Sequence, residues 1–112
     1  MSLRAALLSL MLASPTVAQA ADKLLAVEDG RFEPETLQMN EDDRLIVTNN
    51  TQKNAFVWGL SDKYAFDFRA TGEDRWTHEP GQSLGIVLNT PGEYFIGNSY
   101  DGKAHATVIV RH

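Results

Sequence analysis

Short apolar segments separated by turn-forming residues fill this chain after its first twenty residues, and they restrict it to an all-β fold. RLIVTN, SLGIVL and ATVIVR are typical of these segments, which are rich in Val, Ile and Leu and are bounded by Gly, Pro, Asn or Asp. No stretch has a sustained helical period. Seven or eight such segments at this spacing are typical of a β-sandwich or a β-barrel.

The first twenty residues have the order of a secretory signal peptide. Arg4 precedes an apolar run from Ala5 to Ala13, and Ala18 and Ala20 occupy the positions that a signal peptidase reads. The run is shorter than the roughly 20 apolar residues that a membrane span needs. We therefore expect a signal peptide at 1–20, one domain at 21–112, a periplasmic location and no membrane insertion. The alternative is a buried N-terminal helix.

Charge and cysteine content narrow the function classes. The chain has 112 residues and a formal net charge of −5; without Arg4, nine basic residues face 15 acidic ones, which gives −6 for the mature chain. The sequence has no basic patch, which argues against binding to nucleic acid or to an anionic membrane. It has no cysteine, so it offers neither a disulfide nor a thiolate for a metal or a nucleophile.

Alternation of apolar and polar residues within the segments predicts which side chains lie inside, because successive residues of a strand face opposite sides. A shift of one residue would reverse each set. The candidate core residues are Leu24, Phe32, Leu37, Leu45, Val47, Phe56, Trp58, Ile86, Leu88, Tyr94, Ile96, Val108 and Val110.

Two long stretches carry the pattern of a known family. GRFEPETLQMNEDDRLIVTNN has an F-x-P, a strand, a polar turn and a strand that ends in Asn. EPGQSLGIVLNTPGEYFIGNSYDGKAHATVIV has P-G-x-S before one strand and P-G-E-Y before the next. Together they resemble the opening and the end of a cupredoxin, in particular the small periplasmic cupredoxin-like proteins of bacterial iron uptake. The resemblance implies a Greek-key β-sandwich of seven to eight strands.

The blue-copper members of that family hold copper with a cysteine, two histidines and usually a methionine from two loops. By the resemblance, these positions fall at Asn98, near Tyr100 or Asp101, near Ala104 or His105, and in the stretch 54–56. The thiolate is absent, and residues 54–56 contain no histidine. Asparagine is a poor ligand for copper(I). The resemblance therefore implies the fold without a type 1 copper site.

A different metal site remains open in the polar segment Gly97 to His105, which also contains Ser99 and Lys103. If the long loop 61–82 folds over this segment, His78, His105 and Asp101 meet and could bind copper(II), iron or zinc. In the alternative, His78 is a solvated loop residue and the backbone satisfies His105. Two further potential ligands are better explained by structure: Met39 as core filler and His112 as a frayed chain end.

The long loop has two interpretations. Its aromatic residues either form a binding surface or pack as a small additional core, and its acidic residues either attract a cation or a basic partner or serve as solubilising charge. The aromatic residues are Tyr64, Phe66, Phe68 and Trp76, and the acidic residues are Asp67, Glu73, Asp74 and Glu79.

No residue pattern indicates catalysis, since Ser61, Ser83 and Ser99 lack a nucleophile-elbow context. The leading hypothesis, implied by the resemblance, is a non-enzymatic periplasmic accessory protein in iron or copper handling, with a periplasmic or membrane protein of a metal-uptake system as its partner. The alternatives are a metal-free protein-interaction module on the same fold and a copper electron carrier with an atypical site.

Overall fold

The computed structural model describes residues 20–68 and 77–112, which form nine β-strands in two sheets. The all-β prediction is confirmed, with one strand more than expected because Arg31–Glu33 pairs as a short strand of its own. Of the predicted signal peptide, only Ala20 lies within the described residues. The strands are β1 (Asp22–Glu28), β2 (Arg31–Glu33), β3 (Thr36–Asn40), β4 (Arg44–Asn49), β5 (Val57–Leu60), β6 (Ala65–Asp67), β7 (Ser83–Val87), β8 (Gly92–Asn98) and β9 (Asp101–Arg111).

The sheets have four and five strands, in the orders β2-β1-β4-β7 and β3-β9-β8-β5-β6. Most neighbours are antiparallel, whereas β1 pairs with β4 and β3 pairs with β9 in parallel. The chain changes sheets between β2 and β3 at Pro34, where no ladder hydrogen bond from a backbone N–H is required. No helix within the described residues has the length and apolar character needed to cross a membrane.

The core lies between the two sheets, and most of the predicted core residues are in it. Leu24 is an exception, because its side chain is 66% exposed whereas Leu25 and Val27 are buried. The register explains the difference, since Leu25 lies beside the buried Val47 and Leu24 lies beside Ile46 on the opposite face. The prediction for β1 was therefore out of phase by one residue.

Trp58 was predicted to lie in the core, and this prediction is wrong. On β5, Val57 and Gly59 are buried, so Trp58 between them faces outward. The indole covers Gly97 of the neighbouring strand β8, where an added Cβ would lie 2.8 Å from Trp58 Cε2. Its ring centroid is 5.9 Å from that of Phe95. Trp58 therefore belongs to the outer face of the five-stranded sheet.

The long loop contributes to the core through its first part. Phe66 is 7% exposed and Phe68 is fully buried, and their rings make an edge contact with centroids 6.0 Å apart. Tyr64 is 40% exposed. This packing favours the additional-core interpretation for Phe66 and Phe68. Trp76, Glu73 and Asp74 lie outside the described residues.

Candidate functional site

The polar segment Gly97 to His105, in which a metal site was left open, forms a tight β-hairpin. Strand β8 continues to Asn98 and β9 begins at Asp101, so only Ser99 and Tyr100 lie between them. Gly97 pairs with His105 and Asn98 pairs with Asp101, with a register shift between Gly97 and Asn98. The hairpin leaves little room for the ligand loop that the resemblance implied.

Asn98 fixes this hairpin to the loop before β5. Its side chain is 7% exposed, and its Oδ1 accepts hydrogen bonds from Phe56 N at 3.0 Å and from Tyr100 N at 3.1 Å. Ser99 N also donates to Phe56 O at 2.8 Å. Because both partners of Oδ1 are N–H donors, the amide oxygen must face them and the amide nitrogen must face away.

Asn49, at the end of β4, holds the same loop from the other sheet. This fully buried side chain donates from Nδ2 to Lys53 O at 2.7 Å and to His78 O at 3.0 Å. Its Oδ1 accepts from Thr51 N at 2.9 Å. Two buried asparagines therefore anchor one loop, a role that the sequence analysis did not assign to Asn49. The signal was present, because an apolar strand that ends in Asn buries a polar side chain which must find partners.

Asp101, the predicted carboxylate ligand, is engaged with the backbone. Its Oδ2 accepts from Gly30 N at 2.9 Å, and its Oδ1 accepts from Lys103 N at 3.2 Å. The first bond joins the β8–β9 hairpin to the turn between β1 and β2, and the second stabilises the start of β9. Both oxygens of Asp101 are thus engaged in hydrogen bonds to the backbone.

His78 is fully buried rather than solvated. Its backbone pairs with that of Ala55, and its ring makes an edge contact with the Phe68 ring at a centroid distance of 4.8 Å. Among the residues that the structure describes, neither ring nitrogen has a hydrogen-bond partner of acceptable geometry. Burial lowers the pKa of His78 to about 4, although an interaction with the Val47 backbone partly offsets the effect. The imidazole is therefore neutral at physiological pH.

His105 lies on the opposite side of the five-stranded sheet. Ala104 and Ala106 face the core, so His105 faces outward, where its ring centroid is 5.2 Å from that of Phe95. The described residues contain no group of three or more histidine or acidic side chains that could hold a metal ion. The structure therefore does not bring His78, His105 and Asp101 together, and metal binding by these residues stays a prediction.

The remaining two candidate ligands, Met39 and His112, lie in the core and at the chain end. Met39 is 3% exposed and lies in the core, as predicted. His112 lies near Glu41, with Nδ1 3.2 Å from Oε1, in an exposed pair at the end of β9.

A cleft of about 580 Å³ opens beside Asn98, at the end of the sandwich where the two sheets are joined by Asp101. The β1–β2 turn, the loop before β5 and the β8–β9 hairpin form its walls. Residues that line it include Asp29, Thr51, Lys53, Asn98, Tyr100 and Lys103. Lys53 was not among the residues that the sequence analysis selected, because a lone lysine in a polar loop carries no local signal.

Comparison with solved structures identifies the fold. Amicyanin from Paracoccus versutus is similar with a TM-score of 0.63 and 18% sequence identity, and the match covers 88% of each chain. A Cu(I) form of an amicyanin variant has a TM-score of 0.62 and 14% identity, with 86% of this chain and 87% of that chain covered. Amicyanin is a cupredoxin, so the predicted cupredoxin-like β-sandwich is confirmed. No family model and no curated protein sequence matches the chain.

The residues of this chain do not fit the copper site that the fold suggests. There is no cysteine in the sequence, so no thiolate can bind copper. At the end of β8, the Asn98 oxygen is already occupied by two backbone N–H groups. A type 1 copper site is therefore incompatible with this chain.

Proposed function

We propose that this protein is a non-enzymatic periplasmic binding module on a cupredoxin fold that is closed by hydrogen bonds in place of type 1 copper. The observation that carries the proposal is the pair of hydrogen bonds to Asn98 Oδ1 from Phe56 N and Tyr100 N. They join the hairpin after β8 to the loop before β5 through protein groups alone. Hydrogen bonds to one buried amide oxygen therefore hold the two loops together at this end of the sandwich.

Binding rather than catalysis is supported by how two of the three acidic groups around the cleft are used. Glu28 accepts a hydrogen bond from Asn50 at 2.8 Å, and Asp101 accepts two from the backbone. A general acid or base must exchange its proton with a substrate, whereas these carboxylates are occupied by fixed donors. A cleft of this type is better suited to holding a ligand than to transferring protons.

Metal handling is the second candidate, and the neutral imidazole of His78 is the observation that favours it. An imidazole binds a metal through a nitrogen that carries no proton, and within the described residues neither ring nitrogen of His78 makes a hydrogen bond of acceptable geometry. Accessory work in iron or copper handling, with a partner from a metal-uptake system, would require that this buried ring be reached by the ion together with other ligands such as His105 or Asp101.

Titration calorimetry with copper(II), zinc and iron(II) at neutral pH separates the two candidates. The binding-module proposal predicts no stoichiometric uptake of any of the three metals. Tight one-to-one binding that is lost in His105→Ala or in His78→Phe would instead support metal handling. His112→Ala is the matched control, because it removes an exposed imidazole at the chain end.

A further inference from the structure

We infer that the peptide bond between Ala20 and Ala21 is a processing site, and that Asp43 binds the α-ammonium group which cleavage creates on Ala21. Removal of the leader then adds a charged contact that the uncleaved chain lacks. The inference goes beyond the proposed function and shares with it only the expectation of export. It starts from the two polar backbone atoms of Ala21.

Ala21 is held in place by two consecutive residues at the start of β4. Its backbone N donates to Asp43 Oδ1 at 2.9 Å, and its backbone O accepts from Arg44 N at 2.9 Å. Ala20 is exposed and lies outside the strands, and its small side chain suits the position before a signal peptidase cut. Cleavage after Ala20 therefore removes no residue of a described strand and leaves the nitrogen of Ala21 beside the carboxylate.

The carboxylate of Asp43 is fixed in position by the turn that precedes β4. Its Oδ2 accepts from Asn40 N at 2.9 Å, and its backbone N donates to Asn40 O at 3.1 Å. The backbone O of Asp43 accepts from Leu88 N at 3.2 Å, which ties the same residue to the end of β7. A charged partner of Oδ1 therefore meets an acceptor that loses little further conformational entropy on contact.

The charge of this carboxylate is the observation that points to a cation. The Asp43 side chain is 3% exposed, yet its two hydrogen-bond donors within the described residues are neutral backbone N–H groups. Lys23 attracts it through space, without a hydrogen bond. A nearly buried charge is stabilised by an opposite charge in contact. An ammonium group on the nitrogen that already lies 2.9 Å from Oδ1 supplies that charge without movement of the chain.

Neighbouring acidic groups are less suited to receive the ammonium group. Asp22 pairs with Arg44, with Oδ1 3.1 Å from Nε, and Glu41 lies 3.2 Å from a histidine ring nitrogen. Asp42 is exposed. Of these acids and Asp43, it is Asp43 that accepts a hydrogen bond from the first nitrogen of the processed chain.

This contact stabilises the fold over a defined pH range. An α-amino group has an ordinary pKa of about 8, and contact with a carboxylate raises that pKa in the folded state. The stabilisation is therefore fully present below the ordinary pKa of the amine and is lost as the pH rises through the raised one. At the acid end it is lost when Asp43 takes up a proton. Neutral pH lies inside this range.

Two forms of the chain 21–112 test the contact, one with a free α-amino group on Ala21 and one with the same nitrogen acetylated. Acetylation keeps an N–H donor for Asp43 but removes the charge. All nine described strands lie between Asp22 and Arg111, so both forms contain them. The free amine should raise the thermal unfolding midpoint at pH 7 by about 4 °C or more, and the difference should vanish above about pH 10. Equal midpoints at pH 7 would overturn the inference.

Variants assign the effect to Asp43. In Asp43→Asn the free and acetylated forms should unfold at the same temperature, because the charge of the partner is gone. Asp22→Asn is the matched control, since it removes an exposed acid next to Ala21, and it should keep most of the difference. A difference that persists in Asp43→Asn, or one that is lost only in Asp22→Asn, contradicts the assigned partner.

NMR of the Ala21 methyl group gives a readout that needs no variant. The pKa of the α-amino group should be higher by about half a unit or more in the folded protein than in urea, because a stability difference and a pKa difference are linked. An unchanged or lowered pKa would refute the charged contact.

The processing site itself is tested on the full chain. Expression of residues 1–112 should yield a protein whose intact mass and N-terminal sequence begin at Ala21, and a different N-terminus would refute this half of the inference. The metal titrations described above decide the proposed function independently, because they do not depend on the state of the α-amino group.

Discussion

The side-chain oxygen of Asn98 accepts a hydrogen bond from the backbone nitrogen of Phe56 at 3.0 Å, across 42 positions of the sequence. This bond joins the end of β8 to the loop that precedes β5. A second bond to the same oxygen, from Tyr100 N, shapes the turn into β9. One amide oxygen thereby fixes two chain segments at the end of the sandwich where the cleft opens.

Replacing Asn98 by Leu should therefore destabilise the protein by about 2 kcal/mol, because two backbone N–H groups lose their acceptor in a buried place. Asn98→Asp retains an acceptor oxygen for both donors and should cost much less at neutral pH. Urea unfolding of the two variants checks this. Equal losses in both would mean that the amide nitrogen, not the oxygen, carries the stabilisation.

Trp58 should contribute less to stability than a core aromatic of the sandwich. Phe32→Ala should cost about 3–5 kcal/mol, as large core truncations do, because Phe32 is fully buried. Trp58→Ala should cost less than half of that, since the indole lies on the outer face of the sheet. Equal losses in chemical denaturation would place Trp58 in the core after all.

Contact between Trp58 and Gly97 gives a sharper version of this test. Gly97→Ala should displace the indole and destabilise the fold, and Trp58→Ala in the same chain should relieve most of that cost. Gly102→Ala is the control, because an added Cβ there meets nothing within 4 Å. Additive effects of the Gly97 and Trp58 substitutions would show that the two residues do not interact.

Acidification should reduce stability through His78. Its pKa is about 4 in the folded state, against 6.5 for an unperturbed histidine, so between these values it is mainly the unfolded state that binds the proton. The free energy of unfolding should fall as the pH drops through this window, by up to about 3 kcal/mol. His78→Phe should flatten the profile, whereas His105→Gln should retain it. The measurement is urea unfolding between pH 7 and pH 4, and an unchanged slope in His78→Phe would contradict the account.

Asp43 should stabilise the start of β1 and the turn before β4. This side chain is 3% exposed and accepts hydrogen bonds from Ala21 N and Asn40 N, both at 2.9 Å. These two bonds lower the pKa of Asp43, so its contribution should persist down to about pH 4 and be lost below it. If the signal peptide is removed after Ala20, the new α-ammonium group would lie beside this carboxylate.

Asp43→Ala should therefore cost about 2 kcal/mol at pH 7, the scale of hydrogen bonds to a charged acceptor. Asp42→Asn is the matched control, because Asp42 is exposed and has a positive φ of 72° that asparagine also adopts. Thermal unfolding of both variants provides the comparison. A larger loss for Asp42→Asn would contradict the assigned role of Asp43.

The strands were the part of the fold that local pattern predicted well. RLIVTN coincides with β4, and SLGIVL contains β7, because β-branched segments between turn residues have few alternatives to a strand. Which residues of a strand face the core was harder to predict. In AFVWGL all residues are apolar or small, so alternation could not tell that Trp58 faces outward over Gly97.

The site was harder to predict, because its contacts join residues that are distant in sequence. Asn98 and Asp101 were selected as polar residues of one segment. Their side chains accept hydrogen bonds from Phe56 N and Gly30 N, which belong to other loops. His78 stands just before Glu79 and Pro80 in a polar stretch, and nothing local indicated its burial against Phe68. Its backbone pairing with Ala55 places it inside.

Mass spectrometry of the protein purified from cells grown with copper and iron tests the central claim most directly. The mass under native conditions is compared with the mass of the same sample after acid denaturation, so the result does not depend on any processing of the N-terminus. The account predicts no mass difference that corresponds to a metal ion. A stoichiometric difference of one copper, iron or zinc ion would contradict the claim that hydrogen bonds to Asn98 close this cupredoxin fold in place of a metal.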